Sequence, residues 1–287
     1  MAGTSTLDRR RINAPETIQP TFLSTTTPKR KQRSESERQG VHSLFIQTGL
    51  VAQASGSAYI ESNSVKVACS VFGPRQQTQQ NRSQSSSSTV GGGSASKSYT
   101  NEAELMVDCR FASFSTNLRK KSGKDTESIS LANSIRLAIL PSIRLDKLPK
   151  ASIDVFITIL QADAGRGQGK FDDEACAAAA VTVASCALAN AGIELYGLVV
   201  GVHGVWGNEG GMIVDATHAE AVKAKSSLTL WSMPALGTIT SIDQTGHMSI
   251  EEMEKLLTLL QTASATVHLK AAKAIQDGFK QRHLSES

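Results

Sequence analysis

The sequence is short of several things, and each shortage narrows the reading. No run of 18 apolar residues occurs in the 287-residue chain. No apolar segment stands ahead of a small-residue cleavage site near the N-terminus. A soluble chain that neither spans a membrane nor is secreted is therefore expected. Only four cysteines occur, Cys69, Cys109, Cys176 and Cys186, with no CxxC pair, and all lie in apolar or alternating segments. That pattern predicts reduced, intracellular core thiols. The six histidines, His42, His203, His218, His247, His268 and His283, show neither HxxxH nor HExxH spacing. There is no GxSxG nucleophile elbow. Aromatic residues make up only 5% of the chain.

What is present fits a globular protein. Hydrophobic residues are 40% of the chain, and the length suits two lobes or one large α/β domain. The net charge of +4 permits contact with nucleic acid without demanding it. Residues 1–40 are polar and basic, with few apolar anchors, and are expected to be a tail. Within them Pro28–Arg33, PKRKQR, suits a nuclear-import signal, a phosphate-contacting arm or plain solvated chain. One domain is expected over 41–280, interrupted at 76–98 by a Ser/Gln/Gly-rich insertion too polar to pack, with a short tail at 281–287.

The periodicity inside that domain is clear. Leu44–Ala52 is a strand candidate, and Ser57–Glu61 with Val65–Phe72 reads as a hairpin. Leu105–Phe111 resumes the sheet, and a helix covers Glu127–Leu140 up to Pro141. Ile153–Leu160 is β-branched, and the alanine-rich segment Glu174–Asn190 must be a helix, ended by Gly192. Strands are expected at Leu195–Val205 and Gly211–Val214, and a hairpin at Leu228–Met233 with Leu236–Asp243. The last helix opens with the capping box Ser249–Glu252. Its core stripe is Met253, Leu256, Leu257, Leu260, Val267 and Ala271. The order predicts an α/β (α+β) fold with mixed β-sheets and right-handed βαβ crossovers.

The stretch LQADAGRGQGKFDDEACAAAA, 160–180, invites a ligand and refuses the common ones. A nucleotide P-loop needs GxxxxGK followed by Ser or Thr; here Phe171 follows Lys170 and Ala164 replaces the first glycine. Gly165, Gly167 and Gly169 give GxGxG, not the dinucleotide GxGxxG. A calcium loop from Asp163 would place Glu174 correctly, but puts glycines at two ligand positions and Gln168 at the required glycine. A helix N-terminus can still hold phosphate. Against this, Asp172, Asp173 and Glu174 would each repel an anion at about 4 Å by about 1 kcal/mol in water and about 4 kcal/mol near a protein surface. Farther on, Asp215 and Glu220, in VDATHAEA, follow a strand and are either a catalytic pair or solvated loop acids.

Three segments together resemble the RNase PH family. These are 48–76 with Gly56-Ser57-Ala58-Tyr59, Glu61 and Gly73-Pro74-Arg75; ILQADAG with the alanine-rich helix and Asn190-Ala191-Gly192-Ile193; and GMIVDATHAEA. The resemblance covers about four-fifths of the chain and extends to ring subunits of the eukaryotic exosome. It implies an RNase PH-like fold, of the ribosomal S5 domain 2-like type. It also implies a six-membered ring of related subunits threaded by RNA, an S1/KH-type cap subunit, and residence in nucleus, nucleolus and cytoplasm. No membrane, cofactor or metal is implied.

Active members of that family cleave RNA with inorganic phosphate. They need a phosphate cradle, basic residues for the RNA backbone and an acid for the leaving oxygen. The active cradle resembles DxGxRTA. Here Asp163, Gly165 and Arg166 stand in a longer segment with no Thr beside the Arg, ending in DDE. Active members carry a further acid just after the position of Glu220, where this chain has Ala221. Their paired arginines look replaced by Asp125-Thr126 or neighbours, while Lys120, Lys121 and Lys124 keep positive charge nearby. The expectation is a non-catalytic ring subunit, with Asp163, Gly165, Arg166, Asp215, Glu220 and Ala221 as a degenerate site. Arg75, Arg119, Lys120, Lys121 and Lys124 are candidate RNA contacts. An active phosphorolytic 3'-5' exoribonuclease and a stand-alone RNA-binding protein, which would be a stable monomer, are the alternatives.

Overall fold

The structure is a computed structural model that describes residues 38–63, 65–76, 102–116, 126–162, 172–207 and 211–286. The described residues belong to one compact unit. Most of the expected N-terminal tail and its PKRKQR run, nearly all of the 76–98 insertion, the basic loop with Arg119, Lys120, Lys121 and Lys124, and the loop with Asp163, Gly165 and Arg166 lie outside the described residues.

Alternation builds the first sheet. It holds β1 (Leu44–Thr48), β2 (Gly56–Ser62), β3 (Val65–Gln76), β4 (Glu104–Phe111) and β5 (Ala151–Gln161) in the order β1-β2-β3-β5-β4. The inward set of β3 (Val65, Val67, Cys69 and Val71) is buried, while Lys66, Ala68, Ser70 and Phe72 between them face outward. β4 and β5 pair in parallel and the other neighbours antiparallel, so the sheet is mixed. The β4–β5 connection is made by α1 (Thr126–Ile139), which ends before a 3-10 turn containing Pro141.

The second sheet is antiparallel: β6 (Val200–Gly207), β7 (Met212–Val214), β8 (Ala224–Met233) and β9 (Thr238–Gly246), ordered β7-β6-β8-β9. A short helix, α3 (His218–Ala221), joins β7 to β8, and α4 (Ile250–Glu286) closes the chain. The Ser249–Glu252 capping box is formed in both directions, at 3.2 Å and 2.9 Å. Leu256, Leu260, Val267 and Ala271 of the expected stripe are buried; Met253 and Leu257 are half-buried beside them. The helix runs on through 281–286, where a tail was expected, because no glycine or proline stands there to stop it.

α2 (Asp172–Asn190) is the hub, packed against β2 and β3 on one side and β6 on the other. A helix apolar all round is a buried helix; here residues 176–188 are all buried. Its alanines let strands come close. A Cβ on Gly201 would stand 2.5 Å from the Ala178 carbonyl oxygen, so only glycine fits. Gly192, at φ +76°, ends the helix in the left-handed conformation, and the Ile193 N–H donates back to the Leu188 carbonyl at 3.2 Å.

Two expectations about this region change. The strand foreseen from Leu195 begins at Val200, with Leu195 making an isolated bridge to Ile143. The reason is a tertiary contact: the N–H groups of Val199 and Gly201 donate to the Ser185 and Thr182 hydroxyls of α2, at 3.0 Å and 2.9 Å. Second, α2 is not a crossover within one sheet; it carries the chain from the first sheet to the second. Among the described residues, β4–α1–β5 is the crossover that joins parallel strands.

Candidate functional site

β7 ends at Val214, and the next residue, Asp215, turns the chain at φ +52°. Its N–H donates to the His203 carbonyl of β6 at 2.7 Å, which prolongs the β6–β7 pairing by one bond. Asp tolerates this left-handed conformation better than most residues. The turn points the carboxylate at the segment leading into β1. Oδ2 accepts from His42 Nδ1 at 2.9 Å, from the His42 backbone N–H at 3.3 Å and from Ser62 Oγ at 3.2 Å. Burial pushes the carboxyl up, but the bonds from His42, its charge and the Ser62 bond outweigh burial and hold Asp215 below the ordinary carboxylate range.

Glu220 is held too. Its Oε2 accepts from the Thr217 N–H at 3.0 Å and the Thr217 hydroxyl at 2.9 Å, closing a capping box on α3, and Arg38 stands 3.9 Å away. Ala221 is buried with Val205 and Ala216 in a small apolar cluster.

Beneath Asp215 lies a second polar group. His203 on β6 is 3% exposed, and its Nδ1 is 3.2 Å from Thr229 Oγ1 and 3.7 Å from Glu174 Oε2. Burial lowers the imidazole to about 4, and the Asp215 charge recovers only part of that. His203 is therefore neutral at pH 7, and its approach to Glu174 is a polar contact and not an ion pair. Glu174 accepts from the Ser227 hydroxyl.

Two clefts flank this cluster. A narrow one of ≈ 40 Å³ is lined by Val41, Ser62, Thr182, His203, Asp215 and Val267 among others. A wider one of ≈ 240 Å³ opens between α1, the start of α2 and the second sheet, with Ser134, Glu174, Thr229, Trp231 and Asp243 on its walls. The charged residues among its described lining are both acids. A carboxylate at 4 Å from a phosphate costs about 1–4 kcal/mol, so this lining disfavours an anion.

Arg75 stands apart from these groups. It is exposed at the end of β3 on the outer side of the first sheet, its guanidinium 5.1 Å from the Phe72 ring centroid, with its charge felt by Asp154. Of the site residues foreseen in the sequence, the structure brings Asp215, Glu220 and Ala221 to one end of the second sheet. Sequence reasoning missed His42, Ser62 and His203. His42 lies 173 residues before Asp215 and Ser62 lies 153 before it, so no spacing rule connects them.

With this geometry in hand, the family follows. Residues 40–194 match the RNase PH model, described as the 3' exoribonuclease family, domain 1, and the chain belongs to that family. It is 32% identical over 257 residues to the exosome complex component MTR3 of Homo sapiens, covering 85% of each chain. It is 30% identical over 236 residues to the exosome complex component Rrp41 of Pyrococcus horikoshii, covering 82% of this chain and 84% of that one. The crystal structure of rice (Oryza sativa) Rrp46 shares the fold, with a TM-score of 0.65 at 17% identity over 83% of this chain and 97% of that chain.

Proposed function

We propose that the chain is a non-catalytic structural subunit of an exosome ring. It supports 3'-to-5' processing and degradation of RNA, rRNA included, and helps to guide RNA through the central channel. Its neighbours are RNase PH-type subunits in a ring of six, with an S1/KH-type cap subunit above, in nucleus, nucleolus and cytoplasm. The likeness to exosome components over more than four-fifths of the chain supports the assembly.

The observation that carries the non-catalytic reading is the state of Asp215. Its carboxylate accepts hydrogen bonds from His42 and Ser62 of the protein itself. An acid whose lone pairs are engaged and whose proton affinity is lowered is a poor donor to a leaving oxygen. Glu220 is engaged in the α3 capping box, and the wider cleft presents Glu174 and Asp243 where an anion would need cations. Asp163, Gly165 and Arg166 belong to the same degenerate region. Arg75, Arg119, Lys120, Lys121 and Lys124 contact RNA phosphates non-specifically, and Arg75 is exposed for such a role.

The family's exoribonuclease description favours the rival reading, an active phosphorolytic enzyme. One assay separates the two. Purified chain is incubated with single-stranded RNA, Mg²⁺ and inorganic phosphate, and nucleoside diphosphates are measured. None should be released above a no-protein control. Release that disappears in an Asp215→Asn variant would show that the acid works and that the scaffold reading is wrong.

A further inference from the structure

β9 is the free edge of the second sheet: β8 is its neighbour on one side, and no described strand lies on the other. Nine residues long, it offers about 30 Å of backbone whose outward N–H and C=O groups a neighbouring strand can take up. Edges that must stay single are blunted by Pro, Lys or shortness. The β9 sequence, TITSIDQTG, has no Pro and no Lys, and its one charge is Asp243.

Its side chains carry the second half of the argument. Thr240 is the extra residue where the register with β8 shifts, between Trp231–Ser241 and Ser232–Ile239. This bulge puts Ile239 opposite Ser232 and Ile242 opposite Leu230, so both isoleucines share the face that carries Leu228 and Leu230. Those two leucines are covered by Leu256 and Leu260 of α4. The cover ends before β9: Ile239 is 41% exposed and Ile242 is 40% exposed. An unpaired backbone edge and an uncovered apolar margin thus run along the same strand.

We infer that β9 is a seam at which a neighbouring subunit of the same fold adds an edge strand. The occupant is a folded subunit rather than a loose peptide. A peptide strand would satisfy the backbone alone, whereas a neighbouring sheet with its own helix layer also covers Ile239 and Ile242. The inference rests on the ring assembly proposed above and names the surface that makes it.

The test is co-expression of the full chain with the RNase PH-type relatives of its own organism. Wild type is compared with an Ile239→Lys/Ile242→Lys variant, and amide hydrogen exchange of β9 is followed in free and assembled chain. Both isoleucines are partly exposed, so the variant should fold, which circular dichroism melting checks. The seam predicts that recruitment of one neighbour falls by roughly tenfold or more in the variant. Edge amides of β9 should slow by a similar roughly tenfold factor on assembly. A folded variant that assembles like wild type, or β9 exchange unchanged by assembly, overturns the seam while leaving the ring intact. Wild-type chain that recruits no relative overturns the ring reading itself. If the variant does not fold, exchange in the wild type decides.

Discussion

His203 is buried in a sheet centre, next to a carboxylate it cannot pair with as an ion. Its imidazole titrates near 4, against an ordinary value near 6.5. Protons therefore bind the unfolded chain more readily than the folded one between those values. The stability from keeping His203 neutral is complete above about pH 6.5 and is lost as pH falls through about 4. At 1.36 kcal/mol for each pKa unit, the loss is about 3 kcal/mol. Urea unfolding at pH 7 and at pH 4.5, in wild type and in a His203→Gln variant, measures it: the wild type should lose more stability between the two conditions. Equal losses would mean that His203 titrates normally. Asp215 acts in the same direction, farther down the pH scale. Its lowered carboxyl contributes stability above the ordinary aspartate range and loses it only at pH values below that of His203.

At the scale of elements, the fold turns on how closely α2 approaches β6. The Thr182 hydroxyl accepts from the Gly201 N–H while donating to the Ala178 carbonyl at 3.0 Å, both deep in the interior. Thr182→Val keeps the shape and removes the acceptor, leaving a buried N–H without a partner, which costs about 1–3 kcal/mol. Thermal or urea unfolding of that variant should show the loss, and Thr182→Ser should restore most of it. A Val variant as stable as wild type would mean that water replaces the hydroxyl. How much of this was legible follows from period. The hairpins, the α4 stripe, the Ser249 cap and the Gly192 stop were plain, because alternation, helical spacing and cap chemistry are local. The place of α2 was not: the stretch EACAAAAVTVASCALAN, 174–190, gives a helix with no preferred face, so nothing local says that it lies between two sheets. The start of β6 was misjudged for the same reason, since its first N–H groups are taken by hydroxyls of a distant helix. The site was legible at Asp215 and Glu220 through the family's motifs, and illegible at His42, Ser62 and His203, which tertiary folding alone brings together.

For the molecule as a whole, the buried α2 decides how it unfolds. Core residues of the first sheet, such as Ile157 and Val71, and Trp231 of the second belong to one apolar cluster built around α2. A second cluster joins the far side of the second sheet to α4. Neither sheet keeps a complete core if α2 leaves, so the two sheets should unfold together. The chain supplies its own probes. The two tryptophans of the sequence, Trp206 and Trp231, lie on β6 and β8, whereas Cys69 and Cys109 lie on β3 and β4 of the other sheet, and all four cysteines are buried. Burial pushes the Cys69 thiol above its ordinary range and Cys186 up to about 12, so neither reacts while the chain is folded. Urea unfolding followed by tryptophan fluorescence and by thiol labelling should give one midpoint. Leu260→Ala, cut into the α4 side alone, should lower both readouts together by about 2–5 kcal/mol. Separate midpoints, or a Leu260→Ala effect confined to fluorescence, would mean that the sheets are independent units. In that case α2 would be the core of the first sheet only, and assembly through β9 would have to stabilise the second sheet directly.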